Sequence, residues 1–147
     1  MSRWRFWKQG GREEEPPDYY EEGLALLRAE AYHEALTSFR LALRERPDDP
    51  ATLEQMAVVY THIGVTEEAV KLYRAALRIR PSPAGHYGLA FLLLRRGATD
   101  EAAEHLRAFL EAAPDSPEAD KHVGHARETL ARLEREPESD GPGPGDE

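Results

Sequence analysis

The chain has 147 residues, 40% apolar and 32% charged, with 28 acidic against 19 basic side chains and a formal net charge of −9. That suits one helix-rich domain with tails, and the acidic balance argues against general nucleic-acid binding, since phosphates repel it. There is no cysteine, which excludes disulfide frameworks and thiolate metal sites and fits a reducing, cytoplasmic setting. The longest apolar run, residues 87–94, falls far short of the roughly 20 residues that span a bilayer.

Residues 1–17 read as a flexible arm and linker. The opening "MSRWRFWK" holds both tryptophans and three basic residues with no acid. It lacks the continuous apolar stretch of a secretory signal. Trp4, Phe6 and Trp7 beside arginine suit either weak contact with a membrane surface or the filling of a neighbouring copy's groove. A start without a role is the plainer alternative.

From residue 18 to about 135 one pattern is written three times. In the first unit, about 16–49, Gly23 and Leu26 mark a helix, Glu30 a turn, and Ala35, Phe39 and Ala42 a second helix stopped by Pro47. The second unit, 50–82, repeats this with Ala57, Tyr60, Gly64, Ala69, Tyr73, Ala76 and Pro81. The third, 83–116, has Ala90, Leu93, Gly97, Ala102, Leu106, Phe109 and Pro114. Steps of four and three place these side chains on one helical face, and proline ends each pair because it lacks an N–H and disfavours helical geometry before it. Small residues are expected where two helix axes approach closely.

The junctions "DDPA", "SPA" and "DSPE" predict an Asp or Ser side chain capping the next helix, with Pro at its first position. The alanine spacing is 34 and then 33 residues; the missing residue falls at "RPSPA" and predicts a tightened turn there. Glu67, Glu68, Asp100 and Glu101 place negative charge at helix starts, favourable against the dipole. A last helix over 117–135, apolar at Ala119, Val123, Ala126, Leu130 and Leu133, would cover the exposed end of a stack. Residues 136–147 form an acidic Gly/Pro tail expected to stay disordered.

These linked matches resemble the tetratricopeptide repeat family over residues 16 to about 135. The family's leading Trp is replaced by Tyr19, Leu53 and His86, and its Leu-Gly pair by Glu22-Gly23, Met56-Ala57 and Leu89-Ala90. The resemblance implies an all-α, right-handed α-solenoid of three helix-turn-helix repeats with a C-terminal capping helix. It also implies a concave groove lined by the first helix of each pair: Tyr20, Leu24, Leu27 and Arg28, then Glu54, Val58, Thr61 and His62, then Tyr87, Phe91, Leu94 and Arg95. Such a strip suits an apolar helix or extended peptide of another protein. Interior packing is the competing role for Leu24, Leu27 and Leu94, since periodicity alone does not separate core from groove.

Family members that hold a chaperone's terminal carboxylate use Lys and Asn at positions matching Tyr20, Leu24, Gln55, Ala84 and Gly88. Only Gln55 could donate, so heat-shock chaperone tails are disfavoured as partners. His122 and His125 lie three apart near Glu118, but without further ligands a solvated helix face is expected in place of a zinc site. "HEAL" lacks the second His of a zinc-protease helix, and no phosphate loop or nucleophile triad is present. Neither catalysis nor a cofactor is expected. The reading is an interaction adaptor; the alternative is a self-associating or membrane-peripheral component that uses the arm.

Overall fold

The computed structural model describes residues 17–135. Among them lie seven helices and no strand: α1 Tyr19–Arg28, α2 Tyr32–Glu45, α3 Pro50–His62, α4 Thr66–Ile79, α5 Pro83–Arg95, α6 Thr99–Ala112 and α7 Pro117–Arg135. Pro47, Pro81 and Pro114 each fall just beyond a helix end, as the sequence requires. The chain divides into two compact units between Pro47 and Asp48. No helix among the described residues is long and apolar enough to cross a membrane.

The first unit holds the hairpin of α1 and α2. Asp18 caps α1, its carboxylate accepting the Glu21 N–H at 3.2 Å. Gly23 faces the Phe39 ring, where an added Cβ would lie 2.4 Å from a ring carbon. That is why a small residue recurs at this crossing: the helices meet where one side chain is absent. Tyr20 sits on the same ring, with centroids 6.0 Å apart.

In the second unit α3 pairs with α4, α5 with α6, and α7 closes on α6. Ala57, Ala69, Ala90 and Ala102 are fully buried. Around Ala57, Ala69 and Ala102 gather Val70, Tyr73, Leu89, Leu92 and Leu93, each large apolar side chain contributing about 1.5–3 kcal/mol on burial. A second cluster joins Ala90, Leu106 and Phe109 to Ala126, with Val123, Leu130 and Leu133 of α7 packed against it. The predicted apolar seam of the last helix thus covers α6. Thr129, fully buried beside it, breaks no pattern but was invisible to an apolar count.

The three hairpin turns share one geometry. Glu30, Gly64 and Gly97 have φ of 61°, 83° and 81°. After each, the next residue's N–H reaches back to a carbonyl five positions earlier: Ala31 to Leu26, Val65 to Tyr60 and Ala98 to Leu93, at 2.8–2.9 Å. This is the left-handed C-cap that terminates helices with their last carbonyls satisfied. The junction 80–82 is one residue shorter than 113–116, matching the shortened third repeat.

One predicted cap differs. Ser82 and Ser116 accept the N–H groups of Gly85 and Ala119 as expected. Asp49 makes no such bond; its carboxylate instead accepts the Thr52 hydroxyl at 2.7 Å. A threonine three residues on competes for the same oxygen.

Candidate functional site

A cavity of about 460 Å³ opens in the second unit between α3, α5 and the start of α7. Gln55 and Val58 line it from α3, Ala84, Tyr87 and Gly88 from α5, and Ala119 and His122 from α7, with Tyr73 and Phe109 behind. Its size lies within the usual range for recognition pockets, and its mostly apolar lining with a few polar groups is also typical of them.

The polar edge is built by the junction before α5. The Gly85 N–H donates to Ser82 Oγ at 2.9 Å, and the Ser82 hydroxyl donates in turn to Glu54 Oε2. The chain fixes a carboxylate at the cavity rim. Gly85 permits the approach, since a Cβ there would sit 3.0 Å from that carboxylate oxygen. Among the described residues that line the cavity, Glu54 is the only acid and none is Lys or Arg.

The apolar floor depends on Tyr73. Its ring occupies the space that a side chain at position 88 would fill; a Cβ on Gly88 would lie 2.4 Å from the phenol oxygen. Burial, with the Glu54 carboxylate second, pushes the Tyr73 phenol up to about 12. It therefore stays a neutral hydroxyl at any physiological pH.

Tyr87 is held by α7. Its ring meets His122 edge-on at 4.9 Å, Phe109 at 5.0 Å and Phe91 at 4.8 Å. Burial raises the phenol, so it stays protonated and donates where His125 Nδ1 is unprotonated; the two atoms are 2.9 Å apart. Phe91 stacks on His125 with a 9° interplanar angle. His122 and His125 are exposed on α7, as expected of a solvated helix face. Their rings also lie against Tyr87 and Phe91, an aromatic neighbourhood that ligand spacing does not reveal.

Of the expected groove residues, Glu54, Val58 and Tyr87 come together at the cavity. Phe91 turns to α7, Leu94 packs on the core, and Thr61 donates to the Ala57 carbonyl at 2.8 Å. His62 and Arg95 are exposed. Tyr20, Leu24 and Leu27 are half-buried and Arg28 exposed on α1 of the first unit. Trp4, Phe6 and Trp7 lie outside the described residues. Gln55, Ala84 and Gly88, singled out by sequence as an unsuitable carboxylate clamp, all border this cavity. Tyr73, Ser82, Phe109 and His122 were not expected there. Ser82 was visible as a predicted cap and Tyr73 and Phe109 as repeat positions, but none of these signals points to a cavity.

A tetratricopeptide repeat model matches residues 63–117. The chain is 38% identical over 85 residues to the TPR repeat-containing thioredoxin TTL4 of Arabidopsis thaliana, covering 57% of this chain and 12% of that protein. It is 30% identical over 124 residues to the Protein CTR9 homolog of the same plant, covering 81% of this chain and 11% of that one. It thus spans about a tenth of either relative. Among solved structures, the Yersinia enterocolitica type III secretion chaperone SycD, in complex with a peptide of the translocator YopD, superimposes with a TM-score of 0.74. The match covers 82% of this chain and 92% of that one at 17% identity, a likeness of fold. With helix pairs recurring every 34 or 33 residues, left-handed turns at the same step and this match over residues 63–117, the chain carries tetratricopeptide repeats.

Proposed function

We propose that the protein is an interaction adaptor that binds an apolar helix or extended peptide of another protein, with the cavity between α3, α5 and α7 as its principal recognition pocket. The observation that carries this reading is the apolar cavity itself, lined by Val58, Tyr87 and Phe109 and edged by the Ser82-held Glu54. An apolar side chain of the partner fills it, and Glu54 and Gln55 orient the partner's backbone or a polar side chain, the division of labour seen in groove recognition. That SycD is solved with a translocator peptide supports a peptide as the class of ligand.

Selection from a displayed random-peptide library against the full chain, followed by binding to an Ala84→Arg variant, tests it. Ala84 is exposed in the first turn of α5 and borders the cavity, so the long side chain obstructs the pocket without disturbing the core. Selected peptides are expected to share an apolar or aromatic anchor and to lose at least about tenfold in affinity for the variant. Peptides that bind both proteins equally place recognition elsewhere.

A further inference from the structure

The chain's two tryptophans are Trp4 and Trp7, and residues 1–12 carry Arg3, Arg5, Lys8 and Arg12 with none of its 28 acids. The cavity has the complementary character: an apolar, aromatic interior, a fixed carboxylate at the rim, and no lysine or arginine among the described residues that line it. We propose that residues 3–8 of a second copy of this chain occupy the cavity, an aromatic ring entering between Val58, Tyr87 and Phe109 and an arginine guanidinium meeting Glu54. The proposal rests on reading the cavity as a peptide site and names one occupant for it.

The chemistry matches in three respects. An indole or phenyl ring buries about 150–250 Å² and prefers tilted or edge contacts with other rings; Tyr87 and Phe109 already meet in that manner at 5.0 Å. A guanidinium donates charge-assisted hydrogen bonds to a carboxylate in a fixed orientation, and the Ser82 hydroxyl supplies that orientation for Glu54. The Tyr87 and His122 rings, in edge contact at 4.9 Å, add further aromatic surface for a cation to meet. Residues 9–16 give a reach of at most about 29 Å, enough for a segment to cross into a neighbour. Each copy carries this segment and this cavity, so reciprocal exchange closes as a dimer.

Because both tryptophans lie in the segment, intrinsic tryptophan fluorescence of the full chain reports on it alone. The experiment is a dilution series read by tryptophan emission and by sedimentation velocity. Emission is expected at short wavelength at high concentration, moving to the solvent-exposed value as dimer gives way to monomer. Ala84→Arg should remain monomeric with exposed emission throughout. A chain carrying Arg3→Glu with Arg5→Glu, which alters neither helical unit, should do the same, and Glu54→Gln should weaken association about tenfold at low salt. Emission that does not change with concentration overturns the proposal, whether the rings stay exposed or are held by their own copy. So does a blue shift that survives Ala84→Arg, or one that requires anionic lipid vesicles. If the dimer is absent while selected peptides still bind and are lost in Ala84→Arg, the adaptor reading stands and this occupant alone is wrong.

Discussion

Glu30 stands in left-handed backbone at φ 61°, where its counterparts Gly64 and Gly97 have no Cβ to strain. Left-handed geometry costs an ordinary residue about 1–2 kcal/mol, part of which glycine returns through its freer unfolded chain. Glu30→Gly is therefore expected to stabilise the protein by a few tenths to about 1 kcal/mol, seen as a raised urea midpoint. Gly64→Ala is expected to cost about 1 kcal/mol although nothing lies within 4 Å of its Cβ position, since the strain is in the backbone. Gly88→Ala acts differently: its Cβ would strike the Tyr73 ring, costing about 1–3 kcal/mol as overpacking and reshaping the pocket floor. The turn glycines were legible because the repeat spacing points to them. The role of Gly88 was not, since it depends on Tyr73, fifteen positions away on another helix.

At the scale of helices, α5 and α6 are joined by a histidine pair. His86 and His105 bring their Nδ1 atoms to 2.9 Å, a contact that needs at least one neutral ring to accept. Burial first, with His105 second, lowers His86; burial also leads in lowering His105, against the opposing pull of Glu101 and Glu104 and aided by Arg74. Since both folded-state values lie below the ordinary 6.5, the unfolded chain takes up protons first as pH falls. Stability from this pair is complete above about pH 6.5 and declines below it. Urea denaturation from pH 7.5 to 5 is expected to show that decline, and His105→Gln to flatten it; an unchanged slope in the variant removes the pair as its source. His86 stands at the position of the family's tryptophan, which the sequence showed only as a departure. A pairing nineteen residues apart has no periodic signature. The last helix was legible by contrast, its five apolar positions keeping the helical step. Its contact with Tyr87 through His122 and His125 has no signature in sequence spacing, since the partners lie 35 and 38 residues apart. Ala126, fully buried against Leu106 and Phe109, is its anchor. Ala126→Asp is expected to cost several kcal/mol by burying an unpaired charge and to release α7, read as lost helical circular dichroism and lost peptide binding.

For the molecule as a whole, repetition makes the architecture readable and the ligand obscure. Alanines at 34- and 33-residue steps specify where helices cross, so helix pairs and turns follow from one arithmetic. The proposed recognition pocket is built from what differs between repeats: a shortened junction that sets Ser82 against Glu54, and a final helix that closes the cavity with Ala119 and His122. Neither is periodic. The most direct test is amide hydrogen exchange on the full chain with and without a library-selected peptide. Protection confined to α3 around Gln55–Val58, the start of α5 and the first turns of α7 is the predicted result. Protection elsewhere, with these three segments unchanged, would contradict the account.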